Sequence, residues 1–274
     1  MIVPYGCFNL MINGRKYFLY RQDPKTEKVA VIAAPLNTVK QISEMVISNQ
    51  RALVAGANYY QMRQDVPGQP YGTTYGDLSA PLCGVFQSLP NQRSTLYYNL
   101  RNGAFGDCTG YNVPASDNVF SPALVYPNRN NHVEYATMVG LELLNVRSRY
   151  AFVIKFDDGY GLGIAAQDST PLNIFDDFRQ INMVNVAILD GGGSAQFGRY
   201  EDGEINFIRD TKRPIPSVVT IYRDAATLPE ITTPATADAS IFGFCDELIG
   251  ELSQYRNVDQ YKERLDRFRK GGSA

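Results

Sequence analysis

Tryptophan is absent from the 274 residues, histidine occurs once as His132, and the four cysteines, Cys7, Cys83, Cys108 and Cys245, stand far apart. A zinc site built from cysteine and histidine needs several of these residues at short spacing, and no C-x-x-C or similar cluster exists. Two readings of the cysteines stay open: free thiols, or disulfides among which Cys83 with Cys108 is favoured because both fall in one loop-rich region. Long apolar runs are missing as well. No segment reaches the roughly 18 residues that a membrane-spanning helix requires. The opening stretch, MIVPYGCFNLMINGRKYFLYR, has neither the basic start nor the unbroken apolar centre of a secretory signal. The expectation is a protein that is cytoplasmic or carried in a virus particle. An excess of positive charge is also lacking, with 26 Lys and Arg against 28 Asp and Glu. Without it there is no field to draw nucleic acid or an anionic membrane surface. No internal repeat is found.

What is present reads as an ordinary globular chain, 44% hydrophobic, with 18 Tyr and 14 Phe. Tyrosine-rich surfaces can stack sugars, although a tyrosine more commonly packs its ring and leaves its hydroxyl to a polar partner. FNLMINGRKYFLYRQD predicts a β-hairpin turning at Asn13-Gly14, the strongest short hairpin signal. KVAVIAAP predicts a strand. NTVKQISEMVISNQRA carries Ile42, Met45 and Val46 at helical spacing behind Asn37 or Thr38 as N-cap, and predicts a helix. LVAGANYYQM reads as a buried strand entering a turn.

Residues 63–132 are dominated by Gly, Pro, Asn, Tyr and Ser. So long an irregular stretch is expected to hold short strands with ligand-facing loops. Regular patterning returns in YATMVGLELLNV and RYAFVIKFDDGYGLGIAAQ, the second with a hairpin near Asp157-Asp158-Gly159. DSTPLNIFDDFRQINMVN predicts a helix of about twelve residues, capped by Ser169 or Thr170, with Pro171 first and Leu172, Phe175, Phe178 and Ile181 on one face. Strand VAILD, hairpin QFGRYEDGEINFI and strand SVVTIYR follow. Residues 224–240 have the Ala, Thr, Pro and Asp content of a linker. Apolar residues then recur at steps of three and four from Phe244 to Phe268, an amphipathic helix within 241–274 that either docks on its own domain or joins a partner, making an oligomer through this helix possible.

The stretch NVAILDGGGSAQFGRY poses the functional question, since a buried-looking strand ends on Asp190 and runs into Gly191, Gly192, Gly193 and Ser194. Each glycine surrenders more backbone freedom on folding than any other residue. A P-loop would need Gly-Lys-Ser/Thr, which is absent. Two readings remain: a structural tight turn, or an acid beside unshielded backbone N–H groups that accept an anionic or hydroxyl-rich ligand.

LDGGGSAQF behind a predicted helix resembles the signature of the phosphodiester glycosidase family. RYAFVIKFDDGYGLGIAAQDSTPLNIFDDFRQINMVNVAILDGGGS is similar to that family's arginine–strand–hairpin–helix–strand block, RPIPSVVTIY to its closing strand, and VAGANYYQM to its asparagine–glycine–aromatic turn. The resemblance spans about residues 50–223, within a domain read as 1–223. Where the family has Asn-Gly-Gly-Phe-Phe or Asn-Ala-Gly-Phe-Phe, this chain has Gly56-Ala57-Asn58-Tyr59-Tyr60, with the asparagine two positions later. Either Asn58 serves from a shifted turn, or activity is altered or lost.

The resemblance implies hydrolysis of a sugar-1-phosphodiester, with no cofactor required. Such a reaction needs a carboxylate facing an oxocarbenium-like transition state or activating water, donors for the phosphate, and groups that hold the sugar. Asp190 with Asn58 are the candidate catalytic residues. Gly191, Gly192, Gly193 and Ser194, with Arg149 and Arg213 as phosphate clamps and Tyr60 against the sugar, are the candidate binding residues. His132 and Glu134 lie in a polar loop. Asp157 and Asp158 read as turn acids, and Asp168 as a helix-start acid that could join neighbours around a divalent cation. The expected architecture is α+β, with mixed or antiparallel sheets, a few helices, and the C-terminal helix after its linker. A non-catalytic carbohydrate-binding or structural protein of the same fold, for example in a phage particle, is the alternative; a hydrolase of nucleotide sugars is a third.

Overall fold

The computed structural model describes residues 3–61, 71–88, 95–108, 111–127, 135–136 and 143–223. Contacts divide the chain into Met1–Pro229 and Glu230–Ala274, and all described residues belong to the first. The linker and C-terminal helix expected at 224–274, and His132 with Glu134, lie outside the described residues.

In chain order the strands are β1 (Gly6–Ile12), β2 (Arg15–Arg21), β3 (Glu27–Ala33), β4 (Gln50–Ala55), β5 (Leu78–Ala80), β6 (Val85–Gln87), β7 (Leu96–Asn99), β8 (Ala104–Asp107) and β9 (Val119–Phe120). They continue with β10 (Leu124–Pro127), β11 (Tyr135–Ala136), β12 (Tyr150–Lys155), β13 (Tyr160–Ala165), β14 (Asn185–Gly191), β15 (Phe197–Glu201), β16 (Glu204–Arg209) and β17 (Ser217–Arg223). Three sheets result, ordered β1-β2-β13-β12-β14-β10-β11, β16-β15-β4-β17-β3 and β6-β5-β9-β7-β8. The pairings within them are antiparallel.

This corrects the α+β expectation. Strand accounts for 47% and helix for 10%, with one α-helix, α1 (Pro171–Phe178), among the described residues. The helix expected from NTVKQISEMVISNQRA is a single 3-10 turn, Ile42–Met45, and the chain is already in β4 from Gln50. One turn suffices to bury Ile42 and Met45 with Ile47 against Ile32, Leu53 and Val218. Helical spacing over so few residues therefore marks a packed turn, not a helix.

Alternation along the strands explains the layering. On β12, Ala151 and Val153 face the central core with Leu189, Val54, Val219 and Phe120, where all three sheets meet. Tyr150, Phe152 and Ile154 face the other way and are covered by Ile174, Phe175 and Phe178 of α1. Thr170 caps that helix, accepting from the Asn173 N–H at 3.2 Å, and Pro171 opens it. Its buried face uses Ile174 in place of Leu172, which is 40% exposed. The helix closes after eight residues, and Ile181 packs from the turn beyond. Asp177 ties the helix to the first hairpin, accepting from Asn13 Nδ2 at 2.8 Å, Arg15 Nε and Nη2 at 2.6 Å each, and the Tyr17 hydroxyl at 2.5 Å.

The expected hairpins at Asn13-Gly14 and Asp157-Asp158-Gly159 form, as does the one at Asp202-Gly203. Cys83 and Cys108 are both free thiols, so the favoured disulfide is not made; Cys7 is free too. Among the described residues no helix is long and apolar enough to cross a membrane.

Candidate functional site

Asp190 owes its position to a local irregularity. Tyr150 pairs with Gly191 and Phe152 with Ile188, so β14 carries one residue more than β12 over this step. Such a bulge turns the strand and re-aims a side chain that strict alternation would place elsewhere. Behind it, Gly56 sits at φ +81°, where a Cβ would stand 3.1 Å from the Asp190 Cβ, and the Gly56 carbonyl accepts the Asp190 N–H at 3.2 Å. Only a residue without a side chain lets the two backbones approach so closely in that conformation.

The glycines that follow are held, not slack. Gly192 has φ +60° and donates its N–H to the Arg149 carbonyl at 3.0 Å. Arg209 donates from Nη2 to the Gly192 carbonyl at 3.0 Å and from Nε to the Ala195 carbonyl at 2.7 Å. The Thr211 hydroxyl donates to the Gly193 carbonyl at 2.5 Å. A Cβ on Gly191 would fall 2.5 Å from the Tyr150 ring, and one on Gly193 would fall 2.6 Å from the Arg213 guanidinium. Gly192 to Ser194 form one 3-10 turn, whose Gly192 and Gly193 carbonyls are fixed by Arg209 at the end of β16 and Thr211 just beyond it.

Burial pushes the Asp190 carboxyl above the usual carboxylate range, against the opposing pull of the Ser194 hydroxyl, its own neighbour's Gly191 N–H at 2.8 Å, and the Arg213 charge. Ser194 is fully buried and accepts a long 3.5 Å bond from Arg213 Nη1. Around them stand three tyrosines. Burial lifts Tyr60 to about 12, and its hydroxyl donates to the Pro214 carbonyl at 2.7 Å. Burial, then Asp190, lifts Tyr150 to about 12; its hydroxyl donates to the Val146 carbonyl at 3.0 Å. Tyr59 is raised by burial and next by Asp190, and its buried hydroxyl finds no hydrogen-bond partner among the described residues.

Of the residues named from sequence, the structure brings together Asp190, Gly191 to Ser194, Arg213 and Tyr60. Arg149 contributes its carbonyl to the loop, while its Nε lies 3.8 Å from Asp168 on the surface and its charge is felt by Arg209. Asn58 is wholly buried and engaged elsewhere: Nδ2 donates to the carbonyls of Tyr75 at 3.2 Å and Asp77 at 3.0 Å, and Oδ1 accepts from Ser217 at 3.3 Å. Among the described residues no three of His, Cys, Asp and Glu gather as a metal-holding group. Sequence reading missed Gly56, Tyr59, Tyr150, Arg209 and Thr211. The nearest signal for the last two was the charge-dense run IRDTKRP between two strands.

Neither a known family model nor a curated protein matches this sequence. Solved structures do. The chain is similar to the catalytic domain of zebrafish N-acetylglucosamine-1-phosphodiester alpha-N-acetylglucosaminidase, auto-inhibited by its pro-peptide, with a TM-score of 0.53 and 11% identity over 79% of this chain and 81% of that one. It is also similar to a hypothetical protein from Synechocystis, with a TM-score of 0.50 and 9% identity over 79% of this chain and 61% of the other. The shared property is the fold.

Proposed function

We propose that the protein is a glycosidase that hydrolyses sugar-1-phosphodiester linkages, in a cell-wall or capsular glycopolymer. The observation that carries this reading is the Asp190 turn. A desolvated carboxylate, a rigid glycine loop and a guanidinium converge on a scaffold similar to the catalytic domain of a phosphodiester glycosidase.

In the reaction as proposed, the bond between the anomeric carbon and the phosphate oxygen breaks. Water supplies a hydroxyl to that carbon, and the products are the free sugar and a phosphomonoester. Phosphate is already a good leaving group, so the demand falls on charge stabilisation. The Asp190 carboxylate faces the developing oxocarbenium ion or takes the proton of the attacking water. The Gly191 and Gly192 N–H groups are engaged within the loop. The Ser194 hydroxyl is turned to Asp190, so phosphate recognition falls on Arg213, a guanidinium fork being suited to phosphate oxygens. The rings of Tyr60 and Tyr59 offer the sugar an aromatic wall. The chemistry calls for no cofactor.

A second reading, glycan binding without turnover, is favoured by Asn58, whose amide is spent on the backbone of residues 75–77. Turnover of a synthetic sugar-1-phosphodiester separates the two. Under the first reading wild-type protein releases sugar and phosphomonoester, and Asp190→Ala loses at least about a thousandfold in kcat while keeping its melting temperature. Tight binding of the same compound with no product from wild-type protein establishes the second.

A further inference from the structure

Beside the Asp190 turn lies a cavity of about 250 Å³, lined by Arg15, Arg147, Gln167, Asp168, Ser169, Thr170 and Asn173. The residues that line it are polar or charged types, and its size is that of roughly eight water molecules, or one phosphate with part of a sugar. Three features point to a ligand. The Ser169 hydroxyl, on a residue 3% exposed, finds no hydrogen-bond partner among the described residues. A buried orphan of this kind is costly unless something fills its need. The helix α1 begins at this wall, with its positive dipole end directed toward the cavity. Its first N–H groups are already taken, by the Thr170 hydroxyl and the Leu144 carbonyl, so side chains supply the remaining donors.

The charge favours an anion. Asp168 is the one carboxylate in the lining, and it faces Arg149; Arg15 is spent on Asp177, which leaves Arg147 as the cation the lining offers. The cavity also adjoins the candidate active site. Ser148 and Ser169 exchange backbone hydrogen bonds at 2.9 and 2.8 Å, and the Ser148 hydroxyl lies 3.7 Å from where a Gly192 Cβ would stand. The Arg149–Asp168 pair stands at the border between the two.

We propose that this cavity is an anion subsite that takes a second phosphate of a phosphate-linked glycan, adjacent to the linkage cut at Asp190. The proposal rests on the glycosidase reading for its substrate, and on the cavity alone for its anion. Arg147 supplies the guanidinium, and Ser169, Asn173 and Gln167 supply neutral donors to phosphate and sugar oxygens.

The test uses the full chain, a single-unit sugar-1-phosphodiester, an oligomer with two phosphodiester-linked units, and inorganic phosphate. Arg147→Gln combined with Ser169→Ala should raise KM for the oligomer about tenfold or more and leave both parameters on the single unit within about twofold. An unchanged KM for the oligomer, or an equal loss on both substrates, overturns the subsite. Titration calorimetry separates the subsite from the reaction: without any turnover, oligomer binding about tenfold tighter than the single unit, and losing that advantage in the variant, sustains the subsite while the glycosidase reading fails. Equal affinities overturn it. Inorganic phosphate binding as tightly as the oligomer overturns the assignment to a polymer. Ser169→Ala alone should melt at or above the wild-type temperature, since it removes an unpartnered hydroxyl; a lower melting temperature makes the hydroxyl structural and removes it from the subsite.

Discussion

Asp177 and Asp190 are both withdrawn from water, and the chain provisions them in opposite ways. Asp177, wholly buried, receives the Asn13 amide, two guanidinium donors from Arg15 and the Tyr17 hydroxyl. Its oxygens are saturated, and what it does is fasten α1 to the β1–β2 hairpin. Asp190 has the Gly191 N–H, the Ser194 hydroxyl and the Arg213 charge, too little to offset its desolvation. A carboxylate in that state keeps accepting capacity for a ligand, and its carboxyl is held above the ordinary carboxylate value. Burial alone therefore does not fix the state of a buried acid; the set of donors that faces it does.

That contrast can be broken by experiment. The largest effect belongs to Asp177→Ala, which leaves Arg15, Asn13 and Tyr17 without their acceptor and should cost about 3–5 kcal/mol in urea unfolding. A cost below about 1 kcal/mol would erase the distinction. Next, Arg213→Ala should lower kcat/KM on a sugar-1-phosphodiester by roughly 10- to 100-fold, with stability changed by less than about 0.5 kcal/mol. Arg213 would count as scaffold if stability fell and turnover did not. The smallest effect sharpens the comparison through pH. Because the native carboxyl of Asp190 titrates above its unfolded value of about 3.9, its contribution to stability is complete below that pH and is lost as pH rises through the native value. Asp190→Asn escapes the loss. It should be more stable than wild type at neutral pH, the difference closing toward pH 4. Thermal midpoints across pH 4 to 8 read this directly, and a difference independent of pH counts against it.

The parts of this architecture written in local chemistry were legible. Asn13-Gly14 and Asp202-Gly203 adopt positive φ at both positions, the demand that Asn-Gly and Asp-Gly pairs meet. Thr170 and Pro171 announced α1 for the same reason. What depended on distant partners was not legible. Ile174 rather than Leu172 turns inward because the outer face of β12 and β14 decides which side is apolar. Ile42 and Met45 looked helical because one buried turn satisfies the same spacing. The bulge that turns Asp190 exists only relative to β12. Asn58 shows the limit most plainly: its residue type suits a ligand, yet its amide is committed to carbonyls of a loop that no sequence pattern places beside it.

One consequence concerns how the chain is made. In the second sheet β17 lies between β3 and β4, with Ser217 opposite Ala33 and Arg223 opposite Glu27. On the ribosome, β3 and β4 emerge early, and the strand that joins them is the last described one to be synthesised. Until it arrives, two apolar strands present unpaired edges, a state prone to association with other chains. A stop codon anywhere before residue 217 would remove the middle of a sheet, not a dispensable end.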